Sequence, residues 1–217
     1  DNPELPEHKQ ASPGAARVAV IDTGVEFDRF SELGLFMGLG RPGEISSHDF
    51  SDGGSNPWNF AAGELAHGTG TSASILTTLA NFAPEVLRQR KVELAMWKVS
   101  SVRNVLAGGS FSGSYWESRF FPLMDALFSQ TMSAEAGEVA PDIVSASMVF
   151  NSRAVMGHLG APDLLKRSKW LLVMAAGNSV IKTTQSRYTP CFGDYPESDR
   201  PRERILCIGA LARVSSG

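Results

Sequence analysis

The chain has 217 residues, 42% of them hydrophobic and 20% charged, with a formal net charge of −3. That profile fits one globular unit with a sizeable core and excludes a disordered or collagen-like chain. No run of five basic residues occurs, so no nucleic-acid partner is expected, and apolar runs such as residues 170–176 fall far short of the roughly 20 residues a membrane span needs, so no membrane partner is expected either.

Residues 1–16 read as an N-terminal extension and residues 17–217 as a single domain. The chain opens on Asp1 without a methionine or a charged-then-apolar leader, so the expectation is a leader or pro-segment removed or not included, with the compartment open. It stops at Ser215-Ser216-Gly217 after a strand-like run with no closing helix, which suggests an incomplete domain. Its two cysteines, Cys191 and Cys207, make neither a disulfide framework nor a Cys-x-x-Cys pair, and two free or buried thiols are expected.

Taken in chain order, residues 17–21 form a short β-branched run that ends in Asp22-Thr23-Gly24, which places a carboxylate at a strand's carboxyl tip. Residues 33–63 are rich in Gly, Ser, Asn and Pro and read as an irregular connection. From His67 the pattern changes: Gly68-Thr69-Gly70 leads into small and apolar residues over 71–80, suited to a tightly buried helix with His67 in its first turn. Residues 92–99 read as a second central strand, 102–114 as a mobile Gly/Ser loop, and 115–133 as a helix on the recurrence of Phe120, Phe121, Met124, Leu127 and Phe128. A third strand is expected over 142–147, a short helix over 162–168, a fourth strand over 170–176 and a fifth over 204–210. Strands alternating with helical segments predict an α/β domain: parallel strands, crossover helices, and helices on both faces of the sheet.

In such sheets functional groups collect at the carboxyl ends of strands. Asp22 follows the first strand, His67 opens a helix and Asn178 follows the fourth strand in Ala175-Ala176-Gly177-Asn178. An acid, an imidazole and a carboxamide suit acyl transfer: the acid orients and supports the imidazole, and the amide donates to a developing oxyanion.

With residues 18–25 around the aspartate, His67-Gly68-Thr69 around the histidine and Ala175-Ala176-Gly177-Asn178 in that order, the chain resembles the subtilisin-like serine proteases, from about residue 17 to its end. The resemblance implies a three-layer fold with a mostly parallel sheet, and peptide-bond hydrolysis through an acyl-enzyme in the Asp, His, Ser order of that class. It implies Asp22, His67 and Asn178 as catalytic residues, and Ser112, Gly113, Ser147, Met148, Val149 and Gly177 as substrate-binding ones. It further implies a polypeptide substrate, no required cofactor, calcium at most as a structural ion, and a leaning toward secretion. The family's serine lies in a Gly-Thr-Ser-x-Ala segment opening a buried helix beyond the strand that here covers 204–210, and no such segment occurs in this sequence. Ser215 and Ser216 lack its flanking residues, and Ser110 and Ser112 sit in a Gly/Ser loop without the Gly-x-Ser-x-Gly pattern. The nucleophile is therefore expected on a separate C-terminal fragment or other polypeptide, with a pro-segment as a further partner; the other reading is an inactive relative that binds a peptide or partner. Gly70 stands where the family has a second histidine. Val149 and Phe150 stand where its pocket strand has glycines, which predicts a crowded specificity pocket.

Plainer readings exist for each residue. Asp22 caps a turn in many Asp-Thr-Gly sequences, His67 can be an ordinary first-turn residue, and Asn178 can be a left-handed turn residue. Asp22-Thr23-Gly24 is also the signature of aspartic proteases, which need two such carboxylates side by side; this chain has one. His8, His48 and His158 show no metal spacing and read as surface residues. Gly38-Leu39-Gly40-Arg41-Pro42-Gly43 matches a dinucleotide pattern by letters but follows no clear strand. Asp28, Glu32, Asp49 and Asp52 offer oxygens for calcium, with ordinary solvated carboxylates the favoured reading. Tyr115, Trp116, Phe120 and Phe121 read as core or cleft wall.

Overall fold

The computed structural model describes residues 12–26, 36–38, 45–50, 58–59, 67–99, 139–147, 170–175 and 205–208. The main sheet contains β1 (Ala16–Asp22), β3 (His48–Asp49), β5 (Val92–Lys98), β6 (Ile143–Ala146), β7 (Leu171–Ala175) and β8 (Ile205–Ile208). Their order is β3-β5-β1-β6-β7-β8, and every pairing is parallel. β2 (Val25–Glu26) and β4 (Trp58–Asn59) form a small parallel pair of their own.

Parallel strands are buried on both faces, so their sequences run apolar almost throughout rather than alternating with polar residues. β5 shows this fully: all seven of its residues are buried. Side chains still alternate between faces, and two core clusters result. Val18, Val20, Val92, Leu94 and Met96 gather on one face with Ile75, Leu76, Leu79 and Val86. Ala19, Ile21, Ala95, Trp97, Val144, Ala146, Leu172 and Met174 gather on the other with Ile45 and Trp170.

Parallel neighbours need a crossover, and the one leading into β5 is helical: α1 (His67–Phe82) followed by α2 (Pro84–Arg88). Pro84 supplies a first-turn residue with no N–H to satisfy, and Glu85 and Arg88 complement the helix dipole at its two ends. Arg90 takes a left-handed conformation (φ 53°) to turn the chain into β5. Ser12 N donates to Arg90 O at 3.0 Å and Ala16 N to Lys91 O at 2.9 Å, so the chain is tied to this corner from Ser12 onward. At the same end of the sheet Arg17 N donates to Asp142 Oδ2 at 2.8 Å and Asp142 N to Arg17 O at 2.9 Å, which sets the register of β6 against β1.

From β1 the chain first builds the β5 side of the sheet and then crosses to the β6 side. The order therefore reverses at β1, and the crevice at the carboxyl ends of β5, β1 and β6 is the topological switch point where such sheets place their sites. Asp22 ends β1 there and Ser147 follows β6.

Three expectations are corrected. The stretch 33–63, read as irregular connection, contributes an edge to the sheet: Met37 bridges Leu94, β3 pairs with Trp97 and Lys98, and Phe50 N donates to Lys98 O at 2.7 Å. Two-residue strands held by such long-range bonds are too short to show a period of their own. Helix α1 is buried only at Gly68, Thr69 and Ser72, and Phe82 at its end is 85% exposed, so it is a half-covered helix and not a tightly buried one. Cys207 is disulfide-bonded and not a free thiol; Cys191, the other cysteine of the sequence, lies outside the described residues. The described helices pack on the Val18 face; the helices expected over 115–133 and 162–168, and the loop over 102–114, lie outside the described residues.

Candidate active site

The site begins with a turn and a helix start pressed against each other. Beyond Asp22 the chain turns through Gly24, whose φ of 97° suits glycine, and β2 then runs beside the first turn of α1. Thr23 Oγ1 accepts from Gly68 N at 3.2 Å, and Thr69 Oγ1 accepts from Glu26 N at 2.8 Å. One of these bonds satisfies an N–H that a helix N-terminus leaves without an intrahelical partner. A side chain at Gly68 would collide with the Gly24 carbonyl oxygen and lie 3.1 Å from Asp22 Cβ, so only glycine lets the helix approach this closely.

That approach sets the central geometry. His67 Nδ1 lies 2.8 Å from Asp22 Oδ1 and 3.0 Å from Oδ2. Asp22 Oδ1 also accepts from Thr23 N at 2.7 Å, and Oδ2 from Thr71 Oγ1 at 3.0 Å. The Thr71 hydroxyl is also 3.1 Å from His67 O. Asp22 O accepts from Val99 N at 2.9 Å, which pins the strand tip to its neighbour. Asp22 has 1% of its side chain exposed, whereas the His67 ring has 57% exposed. An ionised carboxylate only accepts hydrogen bonds, so a neutral imidazole here carries its proton on Nδ1 and keeps a lone pair on Nε2. The positive end of the α1 dipole adds to the stabilisation of the carboxylate.

Beyond Asp22 the charged pattern continues sideways. Lys98 is the register partner of Asp22 on β5, and Asp49 is the partner of Lys98 on β3. Lys98 Nζ and Asp49 Oδ2 are 3.3 Å apart with side chains 7% and 6% exposed. Asp49, read as a solvated carboxylate, is therefore a buried ion-pair partner. His48, read as a surface residue, is half-buried against Phe50 and Trp97, with ring centroids 5.6 and 6.4 Å away. No group of three His, Cys, Asp or Glu arranged to hold a metal occurs among the described residues.

A cavity of about 950 Å³ runs from His67 along the exposed flank of α1, past Gly70 and Ser74, over a floor that includes Val18, Ile143 and Val173. Ser147 lines the same cavity and is half-buried. The structure thus brings together Asp22, His67 and, along one cavity, Ser147. Asn178, Ser112, Gly113, Met148, Val149 and Gly177 lie outside the described residues, as do Ser215 and Ser216.

Two residues escaped sequence reading. Thr71 stands four residues after His67, on the same helical face, and that spacing is the signal that it joins His67 on Asp22. Ser72 completes Gly70-Thr71-Ser72, the first three letters of the serine segment in the family the chain resembles, yet it is fully buried and presents no nucleophile to a substrate; its Oγ has no hydrogen-bond partner among the described residues. The partner of Asp22 among the described residues is an imidazole and not a second carboxylate. No family model matches the chain, and neither a curated protein nor a solved structure matches it.

Proposed function

We propose that this chain is the Asp- and His-bearing part of a subtilisin-like serine endopeptidase domain, with helices on both faces of its sheet and its nucleophilic serine carried outside these residues. The observation that supports this most is the buried Asp22 carboxylate gripping Nδ1 of an exposed His67 ring at 2.8 Å at the switch point of a parallel sheet. In this reading a serine Oγ attacks the scissile carbonyl, and His67 Nε2 takes its proton and returns one to the leaving amine. Asp22 stays ionised, holds the tautomer and stabilises the imidazolium. Asn178 donates to the oxyanion, a contribution of about 2.7–4 kcal/mol for donors of this kind.

The cavity beside His67 supports the second half of the reading. Among the described residues, α1 and α2 are the helices that pack on this face of the sheet, and small residues at Gly70, Ser74 and Thr78 along the cavity flank allow close approach of a further element. A segment opening there would bring the residue at its start toward His67. Substrates are polypeptides, and no cofactor takes part.

The test uses the polypeptide that includes the sequence following Gly217 in its gene, treated with a fluorophosphonate probe. One labelled serine, with labelling lost in His67→Ala, is the expected result. A folded polypeptide that takes no label refutes the peptidase reading and leaves a peptide- or partner-binding module with the same groove.

A further inference from the structure

The buried Lys98–Asp49 pair has no part in the chemistry described so far. Its position is nevertheless specific. Asp49, Lys98 and Asp22 are consecutive register partners on β3, β5 and β1, so they form one row across the carboxyl ends of adjacent strands, about 4.8 Å apart laterally. Register partners in a parallel ladder project to the same face. That face is the one carrying α1, because Lys98 continues the alternation of Leu94 and Met96, which pack with Ile75 and Leu79 of α1, and because Asp22 bonds His67 and Thr71 there. All three side chains are nearly out of contact with water: Asp49 is 6% exposed, Lys98 7% and Asp22 1%.

Taking an ammonium and a carboxylate out of water is costly, and a hydrophobic pair of similar volume would hold β3 on β5 as well or better. A buried charge one strand from Asp22 is also weakly screened by solvent. Lys98 is the near end of the pair and Asp49 the far end, so the pair presents net positive potential to the Asp22 carboxylate. Asp49 draws the ammonium toward β3 and limits that potential. The other charged groups on elements packed against the first turn of α1, among the described residues, are Asp22 itself and Glu26 on β2.

We infer that Lys98, with Asp49 as its counter-ion, is a positioning residue for the Asp22–His67 pair, setting how strongly the carboxylate holds the imidazole proton. The inference rests on that pair being a working acid–base couple, but its test reads the proton between the two residues and not proteolysis, so either can fail without the other.

The readout is the proton resonance of the His67 ring Nδ1–H, which moves downfield as the carboxylate becomes a stronger acceptor, measured beside the backbone amide spectrum that reports folding. Lys98→Met alone removes the cation beside the buried Asp49 carboxylate and is prone to unfold. The variants are therefore Asp49→Asn, which keeps the ammonium and removes its counter-charge, the double variant Lys98→Met/Asp49→Asn, which removes both charges, and Lys98→Arg, which keeps the cation. The expected result is an upfield shift in Asp49→Asn, a downfield shift in the double variant and a resonance near that of the parent in Lys98→Arg. Shifts of the same sign in the first two, or no shift in either with the fold intact, would show that the pair only fastens β3 and would overturn the inference.

Discussion

Gly68→Ala tests whether the helix start has to touch the Asp22 turn. The added methyl meets the Gly24 carbonyl oxygen, a backbone atom with no rotamer to escape into, and sits 3.1 Å from Asp22 Cβ. Overpacking against a fixed backbone costs about 3 kcal/mol, and the better helix propensity of alanine returns about 1 kcal/mol. The net loss is about 2 kcal/mol, which lowers a urea midpoint by about 0.7–1 M for a slope of about 2–3 kcal/mol/M. Relief of the collision moves the helix start by about 1 Å. The 2.8 Å contact between His67 Nδ1 and Asp22 Oδ1 stretched by that amount leaves hydrogen-bonding range. Urea titration followed by circular dichroism gives the first number, and the His67 ring proton resonance reports the second. A variant with the parent's midpoint and an unmoved ring proton would refute the close-packing argument.

Asp22→Asn keeps the shape but offers one acceptor oxygen where His67, Thr23 and Thr71 now donate to two; on the proposed reading, peptidase activity of the polypeptide that includes the sequence following Gly217 is expected to fall by about 10⁴-fold at unchanged fold, checked by rate assays beside circular dichroism. Thr71→Val removes one hydrogen bond to a buried carboxylate and costs about 1.5–3 kcal/mol, read by denaturant titration; a loss below about 0.5 kcal/mol would show that the hydroxyl serves only His67 O. Ser72→Ala removes a buried hydroxyl with no partner among the described residues and is expected to stabilise by about 1 kcal/mol, raising the thermal midpoint by about 2–4 °C. Reduction of the bond made by Cys207 costs about 2–4 kcal/mol, visible as a lower midpoint in reductant.

Where an element's own residues decide its state, the sequence was readable. The apolar runs of β1 and β5 are continuous because parallel strands bury both faces, and Asp22-Thr23-Gly24 marks a strand end because glycine permits the exit that follows. His67 opens α1 as its small, apolar successors indicate. What escaped depends on partners far away in sequence. β3 exists because Phe50 N meets Lys98 O, Trp97 Nε1 meets Ser46 O and Asp49 meets Lys98, and none of these contacts leaves a local pattern. Lys98 itself reads as the polar end of a strand, yet it is buried because Asp49 lies beside it. Within the site, the Asp22–His67 distance follows from two glycines: Gly24 bends the chain, and Gly68 has no side chain to keep the helix away.

Everything proposed for the site depends on Asp22 fixing His67 with its proton on Nδ1 and its lone pair on Nε2. Nitrogen-15 chemical shifts of the His67 ring at a pH where the ring is neutral test this most directly. The expected result is a protonated-type Nδ1 and an unprotonated-type Nε2, collapsing toward the mixed values of a free imidazole in Asp22→Ala. A ring protonated on Nε2, or one whose shifts ignore the loss of the carboxylate, would contradict it.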